Sequence, residues 1–247
     1  MHFTLFYTFI ITISLTCPYL TVKGDNSCAV LKQRLQSTAV SIVIKNKGFH
    51  RELETTVELQ LGSAFKDVRL LLLHTWPSGV YVDPYQLAFL SDAVDWQILV
   101  DSAIDLEVPA HKTSGFVTYV YPAFSEQILG VLNISIPIHG RYHQPSFHGE
   151  TFESITIEPP KLLLRTEKCS QLDDLESHTA TEAPCTADNT SMCLWIQVQQ
   201  KQRPGDVILR LPVGNGSLVR PVCGVTLAVT MICCWALSKY MWKQRIV

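Results

Sequence analysis

The feature that most constrains this chain is an uncharged apolar run close to its C-terminus, Val222–Ser238. As a helix, this run would extend about 26 Å, which is close to the roughly 27 Å hydrocarbon thickness of the endoplasmic reticulum membrane. Basic residues flank the run, and Trp235 and Trp242 stand where interfacial aromatic residues belong. We therefore predict a transmembrane helix over residues 220–238 rather than a buried core helix, followed by a short basic tail, residues 239–247.

A second apolar run, Phe3–Thr16, lies at the N-terminus and is too short to span a bilayer comfortably. Small residues follow it, with Val22 and Gly24 at positions −3 and −1 of a cut after Gly24. This layout predicts a secretory signal peptide, residues 1–24, with an uncleaved anchor as the alternative.

The charge distribution predicts which side of the membrane each part occupies. All 22 acidic residues lie between Asp25 and Asp206, whereas residues 25–219 hold 15 basic ones and so carry a net charge of −7. The tail has three basic residues and no acidic one, so the positive-inside rule places it in the cytosol. We therefore expect a single-pass type I protein whose residues 25–219 face the lumen. Its net acidic domain argues against nucleic acid as a partner.

Short strand patterns follow one another between the two apolar runs. Residues 53–61, LETTVELQL, alternate apolar and polar side chains, which is typical of a half-buried strand, and Val68–His74 is a nearly continuous apolar run that predicts a central strand. Residues 166–190 are acidic and rich in Thr and Ser, and predict a long loop. With no long helical pattern in this part, the expected fold class is mainly β, an antiparallel β-sandwich. Further strands are predicted at 38–45, 96–100, 116–121, 128–138, 152–158, 194–199 and 206–212.

Four of the eight cysteines fall in the predicted lumenal domain: Cys28, Cys169, Cys185 and Cys193. An even count in an oxidising compartment predicts two disulfides. Three pairings are possible, and we favour Cys185–Cys193, which closes a short loop, together with Cys28–Cys169.

Three Asn-X-Ser/Thr triplets agree with a lumenal location, because such triplets accept N-glycans there. They begin at Asn133, Asn189 and Asn215. On a strand, Ile134 and Ile136 share one face while Asn133 lies on the other, so this acceptor is predicted to point outward.

The stretch PIHGRYHQP, residues 137–145, places two histidines and an arginine at alternating positions. On a strand, His139, Arg141 and His143 would point the same way, either as ligands or as a polar contact surface. A zinc site would need a third ligand nearby.

Other motifs of catalysis are missing from the sequence. It has no phosphate-binding loop, no nucleophile elbow and no H-E-x-x-H helix. Asp83 most simply starts a turn before Pro84, although a catalytic acid is the alternative. The residues alone therefore predict no enzyme, no cofactor and no metal, and a domain that acts by contact.

Five stretches of the predicted lumenal domain resemble the PIG-X family, the small subunit of GPI mannosyltransferase I. They occur in the same order as in the family and are followed by one membrane span, so the resemblance covers most of the mature chain. The stretches are GFHREL (48–53), PSGVYVDPYQLAFL (77–90), PIHGRYHQP (137–145), APC followed by CLW (183–195), and VILRLPVG (207–214).

The resemblance implies a non-catalytic type I protein of the endoplasmic reticulum membrane, with no small-molecule substrate of its own. It implies that the chain binds and stabilises PIG-M, the multi-spanning enzyme that transfers the first mannose from dolichol-phosphate-mannose to the GPI precursor. Residues of two stretches become candidates for a structural or partner-facing surface: Tyr81, Asp83, Tyr85, His139, Arg141, Tyr142 and His143.

Alternatives remain both for residues 137–145 and for the function of the whole chain. Within residues 137–145, the alternative is that Tyr142 lies in the core while the other polar residues are solvated. For the whole chain, the runner-up is a type I cell-surface adhesion or receptor protein with a sandwich ectodomain, against which the short span and small tail argue. A lumenal hydrolase is a third interpretation, although no nucleophile–base arrangement is visible.

Overall fold

The computed structural model describes residues 26–35, 37–59, 68–123, 130–166, 180–199 and 205–244. The predicted signal peptide lies outside the described residues. The helices in this part are α1 (Asn26–Leu35), α2 (Pro84–Leu90) and α3 (Val219–Lys243). The strands are β1 (Ala39–Lys45), β2 (His50–Leu59), β3 (Arg69–Trp76), β4 (Val80–Tyr81), β5 (Trp96–Val100), β6 (Phe116–Pro122), β7 (Gly130–Gly140), β8 (Phe152–Ile157), β9 (Lys161–Arg165), β10 (Ala180–Pro184), β11 (Met192–Gln197) and β12 (Val207–Pro212).

These strands form two main sheets and a two-stranded ribbon, and all their pairings are antiparallel. One sheet has the order β1-β2-β7-β4, the other β10-β11-β9-β3-β6-β5, and β12 pairs with β8. Inner-face residues of both sheets share one core, for example Leu53 and Ile136 from the first and Leu72 and Leu162 from the second. Two sheets packed face to face in this way confirm the antiparallel β-sandwich class.

Strand β2 shows how the sequence pattern becomes a half-buried strand. Leu53, Val57 and Leu59 are buried, and the residues at odd offsets from them are exposed or half-buried. The turn from β1 into β2 contains Asn46 and Gly48 at positive φ, a backbone region that Asn and Gly tolerate better than other residues. The hairpin is therefore encoded locally, by alternation and by its turn residues.

Strands β3 and β9 are apolar on both faces because each face meets a different cluster. Leu72 and Leu162 point into the sandwich core. Leu71 and Leu163 pack with Trp195 in a second cluster on the outer face of the six-stranded sheet. This second cluster accounts for the continuous apolar pattern of β3, and it places the tryptophan of the CLW stretch in a fully buried position.

A buried polar contact links the two sheets. His74 on β3 has its Nε2 3.4 Å from the Thr55 hydroxyl on β2, and its ring stacks on Trp76 with centroids 5.4 Å apart. Trp76 in turn donates its indole N–H to Thr118 at 2.9 Å. Burial lowers the pKa of His74 to about 3, so the ring is neutral at physiological pH.

Several elements differ from the sequence-based expectation. The pattern does not predict α1, α2, β4, β9 or β10. The predicted loop over residues 166–190 is wrong for residues 180–184, because β10 pairs along its whole length with β11. Residues 167–179 of that loop lie outside the described residues. The sequence ATEAP of β10 has little β-propensity of its own, so its strand depends on the partner strand.

Helix α3 is longer than the predicted span. It starts at Val219 and continues through Lys243, five residues into the predicted tail. At about 1.5 Å per residue, its 25 residues extend roughly 37 Å, which exceeds the roughly 30 Å core of a typical bilayer. The helix is exposed along its length and is long and apolar enough to cross a membrane. The added turn after Ser238 contains Lys239 and Lys243, so the uncharged run is still Val222–Ser238.

Candidate functional site: the end of the sandwich next to helix α3

Four of the five family-like stretches meet at one end of the sandwich, the end from which α3 leaves. Here Gly140 donates its N–H to Phe49 O at 2.7 Å, and Arg141 donates its N–H to Gly79 O at 2.9 Å. The side chain of Leu211 lies so close to Gly140 that a Cβ there would come within 2.5 Å of it. We call this surface the helix-proximal end and define it as residues 46–51, 77–86, 139–151 and 212–218.

Arg141 is buried at this end, with 4% of its surface exposed. Its Nη1 donates to the carbonyl oxygens of Asp105 at 2.7 Å and Val108 at 2.6 Å, and its Cζ lies 4.7 Å from the centre of the Tyr81 ring. Burial lowers the pKa of Arg141, while Tyr81 and Asp105 oppose this shift. Arg141 therefore ties the loop before β6 to the sandwich, and the alternative in which it is solvated is wrong.

His139 stands in a row of rings on the outer face of the four-stranded sheet. It is paired in register with His50 on β2 and with Tyr81 on β4. Ring centroids are 4.7 Å apart for the first pair and 5.0 Å for the second, and His139 Nε2 lies 2.9 Å from Gln86 Oε1. Burial and the neighbouring His50 lower the pKa of His139. A neutral ring that donates to Gln86 fits this environment.

His143 does not join His139 in a ligand set. Strand β7 ends at Gly140, so the alternation that would align the two side chains stops before His143. Its Nε2 is buried and has no hydrogen-bond partner among the described residues, and burial lowers the pKa of His143. Within the described ranges, no group of three His, Cys, Asp or Glu side chains could hold a metal ion. The zinc interpretation gains no support.

Asp83 acts as the N-cap of α2. Its Oδ1 accepts the N–H of Tyr85 at 2.9 Å, and Pro84 occupies the first turn, a position that proline favours. Leu87 anchors the helix in the core, whereas Tyr85 and Phe89 are 79% and 85% exposed. These two rings are four residues apart and so share one outward face of α2.

The loop that follows β7 is bound to the segment that leads into α3. Ser146 donates its N–H to Gly214 O at 2.8 Å and accepts the N–H of Gly216 at 2.7 Å. The Phe147 ring lies against Gly216, where a Cβ would come within 2.7 Å of ring atoms. Tyr142 and Phe147 are 74% and 75% exposed, so the alternative in which Tyr142 lies in the core is wrong.

The exposed rings of Phe89 and Phe147 were not among the residues predicted from the sequence. Phenylalanine is more often buried than exposed, so residue type alone favours a core position for both. Pro145 and Gly149, on either side of Phe147, are the one local signal there, since proline and glycine mark turns rather than strands.

The predicted glycan acceptors all lie on the surface. Asn133 is exposed on β7 and accepts a hydrogen bond from the Thr56 hydroxyl at 2.9 Å. Asn189 lies in the exposed loop between β10 and β11. Asn215 accepts from Ser217 N at 3.0 Å and caps the short turn before α3. Their glycosylation stays a prediction.

Cys185 and Cys193 form a disulfide that closes the β10–β11 hairpin. Cys169, which the other favoured pairing joins to Cys28, lies outside the described residues. The hairpin is at the edge of the six-stranded sheet, and its loop residues Ala187 and Asp188 line a pocket together with Pro84, Leu87 and Ala88 of α2.

Comparison with known proteins points to one family. A family model described as PIG-X / PBN1 matches residues 46–242. A human protein named "GPI alpha-1,4-mannosyltransferase I, stabilizing subunit" is 32% identical over 191 residues, which cover 75% of this chain and 72% of the relative. Proteins of the same name from Rattus norvegicus and Mus musculus are 28% and 26% identical, over 85% and 81% of this chain and 85% and 80% of each relative.

Among solved structures, the major pilin subunit BcpA of Bacillus cereus aligns with 70% of this chain and 40% of its own, at a TM-score of 0.33 and 9% identity. That score is too low to establish a shared fold. The family match, in contrast, spans well over half of the chain and includes all four stretches of the helix-proximal end. The chain belongs to the PIG-X / PBN1 family.

Proposed function

We propose that this chain is a non-catalytic stabilising subunit of GPI mannosyltransferase I. The observation that carries the proposal is the family match over residues 46–242, with relatives that are themselves named as the stabilising subunit. In this role the chain binds PIG-M, the multi-spanning catalytic subunit, and adds no catalytic residue of its own.

The structure supports a role in contact. The helix-proximal end exposes aromatic rings close to an apolar helix, and large rings with a polar atom or a flat face are typical of protein interfaces. Tyr85 on α2 and Tyr142 in the loop after β7 are the most exposed of the candidate side chains, and Phe89 and Phe147 are exposed to a similar degree. A partner in the same membrane would meet this end of the domain first.

We place the chain in the endoplasmic reticulum membrane as a type I protein. The acidic residues all precede α3, and the charged residues at its C-terminal end are basic. An oxidised Cys185–Cys193 pair fits a lumenal compartment. GPI precursor assembly by the named relatives' enzyme supports the choice of organelle.

The proposal is tested in cells that lack their own stabilising subunit. The tagged full chain is reintroduced, and three quantities are measured: the abundance of the catalytic subunit, the catalytic subunit that co-purifies in mild detergent, and GPI-anchored proteins at the cell surface. We expect all three to rise together, and the chain's glycans to stay sensitive to endoglycosidase H.

The adhesion or receptor interpretation makes the opposite prediction. If the chain purifies without a mannosyltransferase and its glycans become resistant to endoglycosidase H, the subunit proposal is wrong. A chain carrying the same tag but an unrelated lumenal domain on the same α3 serves as the control, because it separates binding by the sandwich from binding by the helix.

A further inference from the structure

We propose that the loop of residues 145–150 rests on the membrane surface, with the Phe147 ring in the lipid headgroup layer. This inference rests on the proposed function in one respect, that α3 spans a membrane. It goes further by assigning a surface of the β-domain to lipid rather than to protein or water, and thereby sets the orientation of the domain.

The position of Phe147 relative to α3 is set by backbone contacts. Ser146 makes hydrogen bonds of 2.8 Å and 2.7 Å with Gly214 and Gly216, and it forms a parallel bridge with Asn215. The ring itself covers Gly216, where the absence of a side chain leaves room for it. Phe147 is thus held against a residue three positions before the first residue of α3.

The length of α3 locates the membrane boundary. Counting back from Lys239, the first charged residue at the far end, 20 residues reach Val219 and correspond to about 30 Å, the thickness of the hydrocarbon core. Arg220 lies at this boundary, where a long basic side chain can extend into the headgroups. The boundary on the side of the sandwich therefore falls close to Val219.

Phe147 lies within one headgroup layer of that boundary. The turn of residues 216–218 is a 3-10 turn, so Gly216 is about 6 Å from Val219 along the chain axis. Each headgroup layer is about 5–8 Å thick, from the difference between the total and hydrocarbon thicknesses of a bilayer. A ring seated on Gly216 is consequently at headgroup depth.

The side chains at this depth suit an interface. Phe147 is 75% exposed, and Leu218, between it and the helix, is 55% exposed. Both would present apolar surface to water if the loop stood clear of the membrane. Aromatic and large aliphatic side chains partition into the boundary between headgroups and acyl chains, which makes lipid the occupant that fits them.

Site-specific photocrosslinking tests the contact. The photoreactive residue p-benzoyl-phenylalanine is placed at Phe147, at Val131 or at Ile232 in the purified full chain. Each protein is reconstituted in phosphatidylcholine vesicles that contain an alkyne-tailed phosphatidylcholine, irradiated, and read by coupling a fluorophore to the alkyne. Val131 is a matched control because it is 61% exposed at the other end of β7, about 30 Å from Gly140.

We expect lipid labelling at position 147 and at position 232 in α3, and no lipid labelling at position 131. Labelling at 232 but not at 147 would overturn the inference and leave the membrane span intact. No labelling at 232 would show that α3 is not inserted, which would also contradict the proposed topology. In native microsomes, an adduct of position 147 with protein instead of lipid would assign the loop to a partner and overturn the inference.

Discussion

Arg141→Ala is expected to destabilise the β-domain rather than to remove a surface contact. The substitution deletes the two hydrogen bonds that Nη1 donates to Asp105 O and Val108 O, and the contact of the guanidinium with the Tyr81 ring. Because the side chain is 4% exposed, water does not replace these bonds without a rearrangement of the loop before β6.

The expected loss follows from the contacts. Hydrogen bonds from a charged group are worth about 1.5–3 kcal/mol each, and a partly desolvated cation–π contact adds about 1 kcal/mol. Relief of the cost of burying and ordering the arginine side chain offsets about 2 kcal/mol. The net loss is about 2–5 kcal/mol of unfolding free energy, a large part of the 5–15 kcal/mol that stabilises a typical domain.

The measurement is urea unfolding of the full chain in detergent, followed by the fluorescence of the buried tryptophans Trp76 and Trp195. Arg210→Ala is the matched control. Arg210 also lies over an aromatic ring, 5.2 Å from the centre of Phe152, but it is exposed. Its removal is expected to change the unfolding free energy by less than about 1 kcal/mol.

One result would refute this reasoning. If Arg141→Ala unfolds at the same urea concentration as the unaltered chain but no longer recovers the catalytic subunit, Arg141 is a partner contact. Its hydrogen bonds to the loop before β6 would then contribute nothing measurable to folding.

Three further outcomes are expected. The pKa of His74 is about 3 in the folded chain and about 6.5 when unfolded. At pH values between these two pKa values, the unfolded state therefore binds more protons than the folded state. Between pH 7 and pH 5, the unfolding free energy of the unaltered chain, measured with urea, should therefore fall by about 2 kcal/mol more than that of His74→Gln. Replacing Cys185 and Cys193 together by serine should cost about 2–3 kcal/mol in the same assay, because the disulfide closes a short loop. Replacing Tyr85 and Phe89 together by serine should lower recovery of the catalytic subunit while the unfolding free energy stays within about 0.5 kcal/mol, since both rings are exposed.

Each of these predictions has a control in the chain. His148→Gln alters an exposed histidine and should leave the pH dependence unchanged; an equal change would mean that burial of His74 is not its cause. Cys185→Ser alone breaks the same disulfide and should reproduce the loss seen in the serine double variant. Val131→Ser changes an exposed apolar residue at the far end of β7, and a loss of partner recovery there equal to that of the α2 variant would contradict a role for α2.

The strands that the sequence predicts well are those whose pattern is local. Residues 53–61 alternate, and β2 is half-buried with the predicted face inward. The apolar run of 68–74 marks a central strand, and β3 is buried on both faces. In contrast, β10 has an unremarkable composition and is a strand because β11 pairs with it and a disulfide closes the hairpin. Pairing with β11 therefore stabilises a strand for which the residues of β10 have little propensity.

The candidate site shows the same division at the level of single residues. Alternation over residues 137–145 suggests that His139, Arg141 and His143 share a face. The strand ends at Gly140, however, and Arg141 turns inward toward carbonyl groups more than 30 residues earlier in the chain. The local sequence pattern does not record a contact between residues so far apart in the chain. For the same reason, the pattern does not show that Tyr142 is exposed.

By itself, the sequence determined the properties that depend on local pattern and composition: the β class, an apolar helix near the C-terminus with basic residues after it, and the family-like stretches. The tertiary structure alone decided that four of these stretches meet at the end next to α3, and that Arg141 is internal while Phe147 is external. The physical reason is that hydrophobic periodicity is a short-range property of the chain. Burial of a charged or aromatic side chain depends instead on which distant backbone groups the fold places beside it.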